Sequence, residues 1–385
     1  MSHVDQEHLS LIRRVTSDKT FSATPDLVEF LEFLFKHRAK KLQAKEIEAL
    51  HYHRESDATN DPSHTRERIF QVRKRLRRYF LGARGEKWTC KVLNIRRSGY
   101  QLTFQLAQSQ RSATESFWQP HLAAEKDVVV VTGAHLFFYD STGNGAIRYY
   151  DFNDDGNPRE VVEKFKAKHQ QFAHMPMEPL HRSYLSSGEV YAFEKLQRWF
   201  HERTGELLER QTSRDLSDTK LHGVSPILLG RPATNRFIQK IMGSADAERF
   251  GYRIHQPLGA IRIYNPSERE RRDLARFSLT DDGVLGPVPG WRMVFGILTR
   301  MRNPSGYGHL TVVAADFQAR VITQIIEALT EEKFTSQILT RTGWPLGEDM
   351  PEEFEMLFAV PLAPGGLEGE GHAELIACRL ISAAL

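Results

Sequence analysis

Cysteine is scarce in this 385-residue chain, and its two copies, Cys90 and Cys378, match no metal or redox spacing. No signal-peptide pattern stands at the N-terminus, so reduced thiols in a cytoplasmic protein are expected. No apolar run approaches the ~18 residues of a spanning helix, and no membrane partner is expected. The GxSxG, HExxH, P-loop and Rossmann glycine signatures are all missing, so no catalytic residue and no cofactor is assigned. Two metal-like clusters fail on ligand chemistry. His51, His53 and His64 have no acidic or cysteine partner at a suitable spacing, and Asp154-Asp155-Gly156-Asn157 lacks the calcium-loop pattern. Glu352, Glu353 and Glu355 read as a solvated entry to a strand.

What is present is charge, unevenly spread. The net charge is only +3 over the chain, but residues 1–110 hold 21 Lys/Arg against 13 Asp/Glu, leaving the remainder net acidic. Such asymmetry fits a basic binding module joined to a neutral or acidic domain. The densest basic stretch is "SHTRERIFQVRKRLRRYF", residues 63–80, with seven Lys or Arg between Arg66 and Arg78 and one acid, Glu67. As a helix it places Ile69, Val72, Leu76 and Phe80 on one face and Glu67, Gln71, Lys74 and Arg78 opposite, flanked by Arg75 and Arg77. An apolar face behind a cationic face that includes Gln is what a DNA-recognition helix requires.

Its surroundings agree. Leu27, Phe30, Leu31, Leu34 and Phe35 predict a helix entered through Thr24-Pro25-Asp26, and Ala44–His53 predicts a second. After the basic helix, Trp88–Leu93 and Tyr100–Leu106 read as a hairpin whose turn, "NIRRSG", carries Arg96 and Arg97. Lys40, Lys41 and Lys45 precede the second helix and could add phosphate contacts.

The stretches "VEFLEFLFKHRAKKLQAKEIEAL", "DPSHTRERIFQVRKRLRRYF" and "IRRSGYQLTF" resemble the winged-helix DNA-binding domain of bacterial response-regulator-type transcription factors. They are nearest the variant found at the N-terminus of regulators from acidobacteria-like genomes. Arg66, Arg73, Lys74, Leu76 and Tyr79 match its recognition-helix motif, and Gly99-Tyr100 matches the wing. Glu67 departs from it, standing where an apolar residue is usual, and "RRSGYQLTF" is nearer the ordinary response-regulator wing. The resemblance spans about residues 20–106 and implies sequence-specific binding of double-stranded DNA, with Arg66, Glu67, Gln71, Lys74, Arg75, Arg77, Arg78, Arg96, Arg97, Lys40 and Lys41 as the interface.

The expected organisation is an N-terminal arm (1–20), a winged helix-turn-helix domain (21–106), a linker (107–116) and an α/β domain (117–385). In the last of these, apolar strands such as "DVVVVTG" alternate with helices, and "EFEMLFAVPLA" is read as the final strand. "SPILLGRPATN" resembles a stretch of the companion domain found with this winged-helix variant, a likeness that implies architecture only. Gly230, Arg231 and Asn235 there, with Asn303 and Tyr307 in "RNPSGYG", are the candidate contacts for a small-molecule effector, nucleotide-like or anionic. The leading expectation is a homodimeric transcriptional regulator with a ligand-sensing C-terminal domain. The alternatives are a nucleotide-binding or nucleotide-processing enzyme domain coupled to a DNA-binding module, and a ligand-free oligomerisation platform.

Overall fold

The computed structural model describes residues 3–52, 63–82, 88–95, 99–106, 112–124, 127–134, 136–140, 146–149, 158–179, 185–243, 249–255, 260–277, 279–285, 293–304, 306, 308–315, 319–344, 350–361 and 372–381. They divide into two compact units, Met1–Arg111 and Ser112–Leu385.

The first unit runs α1 (His3–Ser17), α2 (Lys19–Ser22), α3 (Pro25–Lys36), α4 (Ala44–Tyr52), α5 (Ser63–Gly82), β1 (Trp88–Ile95) and β2 (Gly99–Leu106). The three expected helices and the antiparallel hairpin are present, in that order. The expected N-terminal arm is not an arm. Leu11, Ile12 and Val15 of α1 are buried in the same core as Phe30 and Leu34 of α3 and Ile69, Val72 and Leu76 of α5. The side chains of Glu7 and His8 also reach the hairpin, where Trp88 Nε1 donates to Glu7 and the His8 ring stacks on Phe104 at 4.0 Å. His51 packs among Phe30, Phe33 and Tyr52, and Tyr52 meets the His64 ring edge-on.

The chain between α3 and α4 adds a third strand-like element to the hairpin. Leu42 and Tyr100 exchange both backbone hydrogen bonds, at 2.9 and 2.7 Å. That pairing explains the glycine before Tyr100. Gly99 has φ +100°, and a Cβ there would lie 2.3 Å from the Leu42 carbonyl oxygen.

The second unit begins earlier than expected. Residues 107–111 lie outside the described residues, but Ser112 caps α6 (Ala113–Leu122) in a reciprocal capping box with Glu115, so 112–116 belong to the fold. Then follow β3 (Val128–Thr132), β4 (Leu136–Asp140), β5 (Ala146–Tyr149), α7 (Pro158–Lys168), β6 (Met177–Pro179), α8 (Ser187–Thr204), β7 (Glu209–Thr212), α9 (Asp218–His222), β8 (Ser225–Gly230) and α10 (Arg236–Gly243). The remainder is β9 (Tyr252–His255), β10 (Ala260–Ile263), α11 (Glu268–Leu274), β11 (Val284–Leu285), β12 (Met293–Arg302), β13 (His309–Ala315), α12 (Ala319–Thr330), α13 (Glu332–Thr342), β14 (Phe354–Pro361) and β15 (Glu374–Leu380). Strand β14, expected to be last, is followed by β15 at the sheet edge.

A seven-stranded sheet in the order β15-β14-β12-β13-β8-β3-β7 organises this α/β unit. Strands β7, β3, β8 and β13 are mutually parallel, and β12, β14 and β15 continue the sheet antiparallel. One face carries α6, α8 and α12, tied by Trp118 Nε1 donating to the Leu329 carbonyl and Thr323 Oγ1 donating to that of Gly188. Gly296 of β12 lets α12 sit directly on the sheet, since a Cβ there would lie 2.6 Å from Val321 and Ile325. The other face packs Val129, Leu228, Ile297, Val312 and Leu357 against the small β9–β11 sheet, α10 and α11.

Candidate nucleic-acid interface and the crevice at the sheet ends

Helix α5 has no acid in its first turn to offset its unpaired N–H groups. Helix α4 supplies one. Glu48, nearly fully buried, accepts from the backbone N–H of Thr65 at 3.0 Å and from its hydroxyl. This carboxylate fixes where α5 starts relative to α4.

The cations of α5 then separate into two groups. Arg68 reaches Asp26 of α3 (3.2 Å), Arg73 Nε donates to the Val92 carbonyl of β1 (2.8 Å), and Arg75 donates to the Thr20 carbonyl of α2 (2.5 Å). These three hold the helix to its own unit. Desolvation lowers the pKa of Arg73 and of Arg75, the latter with a further contribution from Arg78. Arg75, expected to face DNA, has its guanidinium engaged by the Thr20 carbonyl of α2.

Facing outward are Arg66 and Glu67, both exposed, and Gln71, Lys74 and Arg78, partly exposed. Gln71 Nε2 donates to Glu67 at 2.7 Å, one helical turn away, so the acid that departs from the motif has an intrahelical partner. Lys40 and Lys41 are exposed beside the Leu42 bridge. Arg96, Arg97 and the side chain of Arg77 lie outside the described residues. Phe70 was overlooked in the sequence. It is 39% exposed, between Arg66 and Lys74, and the signal was an apolar residue off the stripe of Ile69, Val72 and Leu76.

In the second unit, β3 is followed in the sheet by β7 on one side and flanked by β8 on the other, so the order reverses at the carboxyl ends of β3 and β8. Ligands of open α/β sheets bind at such a reversal. The loops there are tightly knit. Gly133 donates its N–H to the buried Glu189 carboxylate at 2.7 Å, and Ala134 donates to the Thr234 carbonyl at 2.8 Å. A Cβ on Gly133 would lie 2.6 Å from Thr234 Oγ1, and Gly230 has φ +138°.

Asn235, expected to contact a ligand, is fully buried and committed. Its Nδ2 donates to the Val131 and Leu229 carbonyls, and its Oδ1 accepts from the N–H groups of Phe237 and Ile238. Both amide donors and both acceptor positions are used, so the side chain caps α10 and joins β3 to β8. Asn303 is likewise internal: its Nδ2 points at the Leu221 and Val224 carbonyls, and its backbone closes the turn with Gly306 and Gly308. Tyr307 lies outside the described residues. Of the expected contacts, Gly230 is buried at the end of β8, and Arg231 beside it is partly exposed.

Two buried polar centres were not expected. Arg300 of β12 is fully buried, its guanidinium carbon 4.4 Å from the Phe117 ring centre and 4.9 Å from that of Phe354. None of its three nitrogens has a hydrogen-bond partner among the described residues, and desolvation brings its pKa down to about 9. Nearby, His121 contacts Ser225 Oγ through Nδ1 (2.9 Å) and Thr311 Oγ1 through Nε2 (2.8 Å). Burial, with Arg300 adding to it, lowers its pKa well below the ordinary value, so the ring is neutral. Ser225 donates onward to the His309 carbonyl, which assigns the proton to Nδ1 and makes Thr311 the donor to Nε2.

The second centre corrects the reading of the acidic strand entry. Glu352 and Glu353 pair with Arg302 and Arg249, but Glu355 is fully buried and accepts the Gly251 N–H at 2.6 Å. Burial pushes its carboxyl up to about 7. Next to it Tyr252 donates to Glu270, which also takes two hydrogen bonds from Arg379. The signal for both centres was a charged residue inside an apolar strand, Arg300 in "VFGILTRM" and Glu355 in "FEMLFAV".

No protein-family model, no curated protein and no solved structure matches the chain.

Proposed function

We propose that the chain is a sequence-specific double-stranded DNA-binding transcriptional regulator. Its N-terminal unit is read as a winged helix-turn-helix module, with α5 in the major groove and the turn at 94–99 on the backbone or minor groove. The observation that carries this is the division of labour on α5. Arg68, Arg73 and Arg75 are spent on holding the helix, whereas Arg66 is exposed and Arg78 partly exposed, on either side of Gln71 along the helix. A merely solvated basic helix needs no such anchoring on three sides, whereas a reading head does.

The second unit is read as the sensing half, with a small anionic effector at the crevice by Gly230 and Arg231, and the protein as a homodimer on paired half-sites. Selection from randomised duplexes, followed by gel shifts, tests the DNA reading. One enriched motif is expected, with affinity falling steeply as salt rises. The absence of any preferred duplex, even at low salt, overturns it. Saturable binding of a nucleotide without turnover supports the sensor; turnover would favour the enzymatic alternative.

A further inference from the structure

The outward face of α5 is not uniformly cationic. Phe70 is 39% exposed, off the buried Ile69–Val72–Leu76 line, with Arg66 one turn before it and Lys74 one turn after. Arg66 and Lys74 supply charge complementary to two phosphate strands, and the ring between them has no core to enter. Beside it, Gln71 donates to Glu67, so carboxylate and amide form one fixed polar unit on the same face.

Within a major groove, only thymine presents a methyl group, and only adenine and cytosine present an amino group. We infer that Phe70 reads a thymine C5-methyl group, while the Glu67–Gln71 pair accepts from the amino group of an adjacent cytosine or adenine. This rests on the proposed DNA reading and goes beyond it by naming the residues that set sequence and what they discriminate. Fixing Glu67 also answers its cost. A carboxylate near phosphate is repelled, but one that accepts from both Gln71 and a base amino group is compensated on two sides, and it rejects guanine and thymine, whose O6 and O4 would face it.

The test uses the full-length protein and its selected duplex. Each thymine is replaced in turn by deoxyuridine, which removes only the methyl group, and affinities are measured for the wild type, F70A and E67Q. At one position per half-site the wild type should lose about tenfold, as for a typical mismatch. F70A should be weaker on the thymine site and indifferent to the replacement at that position. E67Q should relax selection at the neighbouring base pair and leave the methyl sensitivity intact. A wild type indifferent to every methyl group, or an F70A that keeps the sensitivity, overturns the inference with DNA binding still standing. Selection of no motif by the wild type overturns the DNA reading itself. If F70A instead abolishes self-association measured by sedimentation and leaves base preference unchanged, Phe70 is a contact between copies, and the inference also fails. Because the ring is outside the core, F70A is expected to fold; F70L, which keeps an apolar contact, should recover part of the methyl discrimination.

Discussion

Arg75 and Thr20 are joined by a hydrogen bond from the Arg75 guanidinium to the Thr20 carbonyl, across 55 residues of sequence. The bond ties the most basic helix of the chain to a four-residue helix that has no acid within it. A guanidinium so engaged serves stability rather than recognition. R75A should lower unfolding stability by about 1–2 kcal/mol in urea titrations while leaving the salt dependence of DNA binding unchanged.

Lys74 sits on the outward face and should behave in the opposite way. K74A or R66A should weaken binding to all duplexes nearly equally and flatten the slope of log affinity against log salt by about one. Stability should change by less than about 0.5 kcal/mol. A change of slope in R75A and none in K74A would invert the assignment of these two side chains.

Glu48 gives a third outcome. It is the only described carboxylate that caps α5, through Thr65, so E48A leaves the first turn of the helix without its acceptor. A loss of about 1–2 kcal/mol is expected. Hydrogen exchange should rise first in residues 63–68, and DNA affinity should fall although no residue of the proposed interface has been changed.

Glu355 predicts a pH dependence. Its carboxyl is raised to about 7 in the fold from the ordinary value of 4.5, so the folded state holds a proton that the unfolded chain has released. The associated stability is full below about pH 4.5 and is lost as pH rises through about 7, by about 3 kcal/mol in all. E355Q keeps the acceptor for the Gly251 N–H without titrating. The stability difference between E355Q and wild type should therefore grow in the variant's favour from pH 5 to pH 8. A difference that stays flat over this range would contradict the buried, protonatable carboxyl.

Arg300 is a buried cation balanced by two aromatic rings and by no acid among the described residues. Cation–π contacts of this kind return about 2 kcal/mol when desolvated, less than the several kcal/mol that burying the ion costs. R300M should accordingly be neutral or stabilising in urea titrations, and a loss of more than about 2 kcal/mol would mean that the guanidinium has a hydrogen-bonded role.

Much of the fold could be read in the sequence because periodicity reports which side of an element is buried. The α5 stripe, the hairpin and the apolar strands β3, β8, β12 and β13 were all legible this way. Periodicity does not say what the buried side meets. The same stripe in α1 read as an arm because its partner, the α3–α5 core, is assembled from distant segments. Asn235 and Asn303 read as ligand contacts for a related reason: an Asn at a turn has the same local signature whether it caps a helix or faces a pocket. Only the carbonyl ends of β3 and β8, brought together by the parallel pairing, decide between these. Glu355 and Arg300 were visible as charges within apolar strands, but a strand entry exposed on one side and a buried one share that pattern.

The register of the large sheet carries a consequence for synthesis. Val128 pairs with Ser225, and Ala314 with Gly230, so β8 waits for β13 before both its edges are covered. The hairpin of the first unit closes between neighbours, Ile95 against Gly99, and needs nothing beyond Leu106. On a ribosome the first unit can thus be complete while the second still has an open, apolar strand edge. The emerging chain would be a finished first unit trailing an unfinished sheet, and chaperone demand should fall on the later half.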